Sequence, residues 1–252
     1  MGALHKGHVS LITKAKEENG KVICSIFVNP AQFNDKYDLE KYPRTLEADK
    51  KMLVSSGCDI LFAPSVEEMY PQPDITQFDF GQLDKLMEGK HRPGHFNGVA
   101  LVVKKFFDIV EPNSAYFGQK DFQQLTIIKR LVRDFMLSVK IIACPIYRES
   151  DGLAMSSRNT LLTSEEREIA PFISQTLFKA KEMSVACSLE RLKNWVEDQF
   201  KKQASMRLEY FEVVDVQTLK PVEKLEAGKG IVACIAVKLG RIRLIDNIVL
   251  FP

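Results

Sequence analysis

In the first half of the chain, short and nearly continuous apolar runs alternate with stretches of helical spacing, and this alternation restricts the fold more than any other feature. "KVICSIFV" is followed by "RTLEADKKMLVSSG", whose apolar residues recur at helical intervals up to Gly57, and then by the apolar "DILFAP". Further on, "FNGVALVVKKFFDIV" reads as helix, "SAYFG" as strand, "DFQQLTIIKRLVRDF" as helix and "VKIIACP" as strand. A strand apolar at nearly every position is covered on both faces, and helices between such strands are the crossovers that keep neighbours parallel. The pattern predicts an α/β fold with a Rossmann-like, doubly wound parallel sheet reaching to about Pro145.

Beyond it the texture changes. "TSEEREIA" carries a capping box at Thr163 and Glu166 and two helical stretches follow. Then "RLEYFEVVDV", "GIVACIAVKL" and "RIRLIDNIVL" succeed one another without helices between them. These features predict a smaller C-terminal α+β domain with an antiparallel sheet, so the expected domains are 1–146 and 147–252.

Charge excludes two partner classes. The 35 basic and 33 acidic residues are mixed along the chain and sum to +2, which leaves no footprint for nucleic acid or an anionic membrane. A small anionic substrate needs only a local basic pocket. The five cysteines, Cys24, Cys58, Cys144, Cys187 and Cys234, are unclustered and mostly lie in apolar runs, as small core residues do in a reducing compartment. With no signal-peptide pattern and no apolar run of membrane-spanning length, the expected location is cytoplasmic.

Two of the four histidines stand three residues apart in "MGALHKGHVSLITKAKEENG". Val9, Leu11, Ile12 and Ala15 predict a helix that begins at this pair, and Gly20 stands at the expected C-cap. First-turn N–H groups lack partners inside a helix, so His5 and His8 would meet the positive end of the helix dipole in a volume suited to an anion.

Ligands of doubly wound sheets bind at the carboxyl ends of the strands, and the loops there are polar in this chain. After "ICSIFV" comes "NPAQFN", after "SAYF" comes "GQKDFQQ", and past "KIIACP" comes "DGLAMSSRN". Lys120 follows a strand and Gly118, where a compact charge can reach phosphates. Arg158 can fork onto phosphate oxygens while Ser156 and Ser157 donate.

These stretches, taken in order, resemble the pantothenate synthetase family of ATP-dependent ligases, which join pantoate to β-alanine. "MGALHKGH" resembles its H-x-G-H nucleotide signature, "FVNPAQF" its pantoate loop, "EGKHRPGHFNGV" its central segment, "FGQKDFQQL" its G-x-K-D-x-Q-Q motif and "MSSRN" its counterpart of the K-M-S-K-S loop. The resemblance extends from Met1 through "RLIDNI". It implies that ATP is held by Met1, Gly2, Ala3, Leu4, His5, Lys6, Gly7 and His8, by Gly118, Gln119, Lys120 and Asp121, and by Met155, Ser156, Ser157 and Arg158. His5, His8, Lys120 and Arg158 would be catalytic, and Asn29, Gln32 and Gln124 would hold pantoate. Tyr147 stands eight residues before "MSSR", where the family usually has valine against the nucleotide; the departure is mild if the contact is made by backbone. The resemblance also implies Mg2+ with ATP, its protein ligands unidentified, and a homodimer. The domain boundary further predicts that residues 147–252 act as a lid, with Gly152 as pivot, bringing Ser156, Ser157 and Arg158 to the phosphates.

The chemistry suits these residue types. A carboxylate is a poor acyl donor at neutral pH, whereas transfer of AMP makes its carbonyl carbon reactive and releases pyrophosphate. Attack of a pantoate oxygen on the α-phosphorus builds negative charge that His5, His8, Lys120 and magnesium can meet. Amides at Gln32 and Gln124 both donate and accept, matching hydroxyl and carboxylate groups. A zinc site from His5, His8, His91 and His95 is disfavoured, because Pro93 and Gly94 break the second pair's helical spacing and no cysteine or carboxylate completes a ligand motif. A nucleotidyltransferase acting on a phosphorylated acceptor would use the same histidine turn, but "FVNPAQF" and "QKDFQQ" favour a small hydroxy acid. A non-catalytic nucleotide-binding module would release no pyrophosphate.

One expectation concerns the start of the chain. In the resembled family the H-x-G-H turn follows a strand, and here Met1 lies inside the motif, so the first, central strand is expected to be missing. A chain so shortened is expected to be poorly stable and weakly active.

Overall fold

Each apolar run of the first half becomes a parallel strand in a computed structural model that describes residues 1–34 and 36–252. Helix α1 (Lys6–Glu18) leads into β1 (Ile23–Ser25), which pairs in parallel with β2 (Ile60–Phe62) across the 3-10 turn Pro30–Gln32, α2 (Lys36–Lys41) and α3 (Leu46–Ser55). Next come α4 (Val66–Met69), α5 (Met87–His91) and α6 (His95–Val110). β3 (Ser114–Gly118) then pairs in parallel with β4 (Lys140–Cys144) across α7 (Phe122–Asp134). The expected single sheet takes the form of two separate parallel pairs among the described residues. Along the edge of β1 that faces away from β2, the Phe27 N–H donates to the Met1 carbonyl at 3.1 Å.

Side chains, not a hydrogen-bonded ladder, join the two pairs. Ile12 and Ala15 of α1 and Leu53 of α3 bury against Val22 and Cys24, and Tyr116 of β3 packs on the same cluster. The Tyr116 hydroxyl donates to Glu18 and accepts from Asn19 Nδ2, each at 2.7 Å. That asparagine also corrects the expected cap. Helix α1 stops at Glu18, and Asn19 Nδ2 donates back to the Ala15 carbonyl at 2.8 Å, so an amide side chain satisfies the helix end while Gly20 takes no left-handed conformation.

Helix α6 is apolar nearly all round and is buried accordingly, through Phe96, Val99, Ala100, Leu101, Val102, Val103 and Phe107. Its Gly98 has a steric cause: a Cβ there would lie 2.1 Å from the Ala31 carbonyl oxygen, so only glycine lets the helix backbone rest against the "NPAQF" loop.

The chain divides into two compact units, one of Met1–Gln119 with Gln123–Pro145 and the other of Lys120–Phe122 with Ile146–Pro252. In the second, β5 (Met206–Asp215), β6 (Ile231–Leu239) and β7 (Ile242–Phe251) form an antiparallel sheet in that order. β6 is central and buried at almost every position, which explains its unbroken apolar run. Helix α8 (Ser164–Ile169) starts at the expected capping box, with the Thr163 hydroxyl accepting from the Glu166 N–H at 3.2 Å and Glu166 accepting from the Thr163 N–H at 3.0 Å. Ile173, Leu177 and Ala180 of α9 (Phe172–Ser184) and Leu192, Val196 and Phe200 of α10 (Leu189–Lys201) complete the core against Val213, Ala233, Ile235 and Val237. Each buried leucine or isoleucine contributes about 1.5–3 kcal/mol. Among the described residues no helix is long and apolar enough to cross a membrane.

Candidate active site

The histidine pair begins α1 and caps it. His5 is the N-cap, extended at φ −144° and ψ 173°, and its Nδ1 accepts the Gly7 N–H at 3.1 Å. In return His8 Nδ1 accepts the His5 N–H at 3.3 Å, so two imidazoles replace the usual hydroxyl and carboxylate of a capping box. A nitrogen that accepts carries no proton, and each neutral ring therefore bears its hydrogen on Nε2. The ring centroids lie 4.0 Å apart. Two Nε2–H donors at the positive end of a helix form a donor set for a phosphate oxygen.

The backbone entering this turn is strained, with Ala3 in the left-handed region at φ 47°. Asp49, in the first turn of α3 and only 2% exposed, holds it. Its Oδ2 accepts the Ala3 N–H at 3.0 Å, and its Oδ1 accepts the Leu4 N–H at 2.7 Å and the Thr45 hydroxyl at 3.1 Å. Sequence reasoning missed Asp49, because an acidic residue in a helix's first turn is what the dipole favours anyway and nothing local reports its distant partners.

The "NPAQF" loop separates two kinds of amide. Asn29 is buried: its Oδ1 accepts from Ala31 N–H at 3.2 Å and from the Tyr70 hydroxyl at 2.9 Å, while Nδ2 donates to the Gly98 carbonyl at 2.9 Å. Gln32 is half-buried, and its side-chain amide makes no hydrogen bond among the described residues. Its backbone carbonyl accepts from His95 Nδ1 at 2.8 Å, and Arg92 donates to His95 Nε2 at 3.1 Å, so His95 pins this loop as a neutral ring. His91 is exposed. Among the described residues no three His, Cys, Asp or Glu side chains group to hold a metal.

The two glutamines of "DFQQL" divide the same way. Gln123 is buried and saturated, accepting from Glu88 N–H at 2.9 Å and donating to the carbonyls of Leu83 at 2.7 Å and Leu86 at 2.9 Å. Gln124 is half-buried, with no side-chain hydrogen bond among the described residues.

In the second unit, Lys120 sits in the 3-10 turn Gln119–Asp121 that follows Gly118 at the end of β3, and the Asp121 carboxylate is 3.9 Å from its ammonium. The segment carrying Met155, Ser156, Ser157 and Arg158 leaves a small hairpin. Met155 N–H donates to the Tyr147 carbonyl at 3.0 Å, Glu149 N–H donates to Leu153 at 2.9 Å, and Gly152 turns the chain at φ 91°. Tyr147 thus uses its backbone here, while its side chain is exposed. Ser156 Oγ accepts the Arg158 N–H at 3.3 Å and caps the 3-10 turn Ser157–Leu161. Arg167 grips the hairpin through Glu149 at 2.7 Å and Asp151 at 2.6 Å. The hairpin's Arg148 forms a bidentate pair with Asp246 of β7, at 2.7 and 3.0 Å. Burial raises the Asp246 carboxyl above its ordinary value, and Arg148 opposes the rise.

The structure therefore brings His5 and His8 together in one unit, and gathers Tyr147 and Met155–Arg158 on one hairpin and turn in the other. The comparisons with known proteins agree on one family. The family model described as pantoate-beta-alanine ligase matches residues 1–249. The pantothenate synthetase of Bacteroides thetaiotaomicron is 53% identical over 98% of this chain and 88% of its own length, and that of Porphyromonas gingivalis is 52% identical over the same shares. The crystal structure of pantothenate synthetase from Thermus thermophilus matches with a TM-score of 0.95 at 42% identity, covering 100% of this chain and 91% of the other. The Francisella tularensis pantoate-beta-alanine ligase, complexed with beta-gamma ATP and β-alanine, matches at 0.82 and 41% identity over 99% and 87%. With its five motifs in order and its whole length matched, the chain belongs to the pantoate–β-alanine ligase family.

Proposed function

We propose that this chain condenses pantoate with β-alanine at the expense of ATP. A pantoate carboxylate oxygen attacks the α-phosphorus of ATP, a new P–O bond forms, and the bond to pyrophosphate breaks. The amine of β-alanine then attacks the acyl carbon of pantoyl-adenylate, AMP departs with its oxygen, and the amine loses a proton as the amide forms. The observation that carries this reading is the reciprocal capping of His5 and His8, which commits both Nδ1 atoms as acceptors and so sets both ring protons on Nε2 at a helix N-terminus. Such donors stabilise charge gathering on phosphate oxygens without having to move a proton.

Met1–His8, Gly118–Asp121, Tyr147 through its backbone and Met155–Arg158 are assigned to the nucleotide, with His5, His8, Lys120 and Arg158 meeting its charge. Gln32 and Gln124 are assigned to pantoate, because among the described residues their side-chain amides make no hydrogen bond and keep their full capacity for a substrate. Asn29 serves the same substrate by shaping the loop that carries Gln32. Magnesium would accompany ATP and offset its phosphate charge; among the described residues no three His, Cys, Asp or Glu side chains group to hold a metal. A homodimer in the cytoplasm completes the reading, and five cysteines held as thiols suit that reducing compartment.

Pyrophosphate release, followed with ATP and pantoate before and after β-alanine is added, tests the proposal. The expected record is a burst of about one pyrophosphate per site, then steady turnover on adding the amine. Release that ignores pantoate, or none at all, would refute it.

A further inference from the structure

Lys120 stands 127 residues before Asn247, yet its backbone is fastened to that residue on the last strand: Asn247 Nδ2 donates to the Lys120 carbonyl at 2.9 Å. Asn247 is only 4% exposed, and its own backbone is fixed on both sides: its N–H donates to Asp246 Oδ1 at 2.7 Å, and its carbonyl accepts from Arg148 at 3.3 Å. Arg148 also donates to the Gly152 carbonyl at 3.0 Å, and its guanidinium lies 5.0 Å from the centre of the Phe178 ring. One guanidinium–carboxylate pair, its carboxylate buried, thus grips the hairpin leading to Ser156–Arg158 and, through Asn247, the carbonyl of Lys120. Lys120–Phe122 cluster with the second unit although the flanking residues belong to the first.

We infer that Asn247 is a positioning residue for Lys120, fixing that lysine in the same rigid frame that carries Ser156, Ser157 and Arg158. The inference rests on the assignment of Lys120 to ATP made above. Its physical basis is the difference between a flexible and a located charge. A lysine has four rotatable side-chain bonds, so an error in its backbone adds directly to the error in where its ammonium can dwell. A hydrogen bond from a buried side chain on a paired strand removes the backbone part of that error. Burial chiefly raises the Asp246 carboxyl and Arg148 chiefly opposes that rise, with a small further pull toward the ionised form from Lys120.

The experiment is a double-mutant cycle on the full chain, read as kcat/KM for ATP and for pantoate. Asn247→Ala is expected to lower kcat/KM for ATP roughly 10- to 100-fold while leaving the pantoate KM within about twofold. In a Lys120→Ala background the same change should add almost nothing, since its effect passes through the lysine. Hydrogen exchange at the amides of Lys120–Phe122 should quicken in Asn247→Ala, while those of β6 stay protected. If Asn247→Ala does not fold, Asn247→Ser, which is too short to reach the carbonyl, carries the same comparison. Unchanged ATP kinetics in a folded variant, or full losses in both backgrounds, would overturn the inference. If Lys120→Ala itself uses ATP normally, the assignment of Lys120 falls, and the exchange rates still decide whether the tether exists.

Discussion

The two groups of residues assigned to ATP are held in place by different means. His5 and His8 are organised by their own neighbours, through bonds spanning two and three residues, and only the approach to the turn depends on a distant group, Asp49. Lys120 and the Met155–Arg158 segment are organised from far along the chain, by Arg148, Asp246 and Asn247, over separations of 98 and 127 residues. A locally built turn forms wherever its helix forms. The second arrangement exists only once β7 has been laid beside β6, so the groups assigned there to ATP depend on the stability of the whole unit. A substitution in the first region should therefore damage chemistry alone, whereas one in the second should damage chemistry and folding together.

The sharpest way to break that contrast is Asp246→Ala. It leaves the half-buried Arg148 guanidinium without the buried carboxylate it pairs with, at a cost of about 3 kcal/mol, the low end for breaking such a pair. A melting temperature lower by on the order of 10 °C is expected for a domain of this size. A melt within a degree or two of the parent's would show that the hairpin is not held by this pair.

A smaller effect separates the saturated amides from the open ones. Gln32→Ala should weaken pantoate use by about 1–3 kcal/mol with little change in melting or in ATP binding, since it strips a partner from a polar substrate. Asn29→Ala should lower the melting temperature as well, because Gly98, Ala31 and Tyr70 lose a buried partner. Identical profiles for the two variants would erase the distinction between substrate contact and loop support.

The smallest effect contrasts buried Asp246 with exposed Asp59. Lys16 chiefly, then the Val22 N–H, hold the Asp59 carboxyl down at about 2. A carboxylate with a depressed native pKa adds stability above its unfolded value near 3.8 and loses it as the pH falls through about 2. The melting difference between parent and Asp59→Asn should therefore be present at pH 5 and vanish toward pH 2. A difference that persists in acid would assign the effect to packing instead.

What could be read in advance follows the same division. The βα alternation, the helix starting at His5, the Thr163–Glu166 box and the three terminal strands all rest on local periodicity and capping, and each is found in the structure. The separation of the parallel strands into two pairs, the Asn19 cap in place of Gly20, and the parts played by Asp49 and Asn247 depend on partners distant in sequence or on close packing. Composition offers no sign of them. Nor does local pattern distinguish Gln123 from Gln124, two adjacent amides whose difference is that helix α7 turns one of them toward the carbonyls of Leu83 and Leu86.

His8 is assigned to the phosphoryl step and not to the amide step, and pantoate-dependent exchange between ATP and pyrophosphate measures the first alone. In His8→Ala that exchange should fall roughly a hundred- to a thousandfold, about 3–4 kcal/mol. Pantoyl-adenylate supplied directly should still pass to β-alanine within a few-fold of the parent rate, at an unchanged melting temperature. Normal exchange in the variant, or equal loss in both half-reactions, would contradict the assignment.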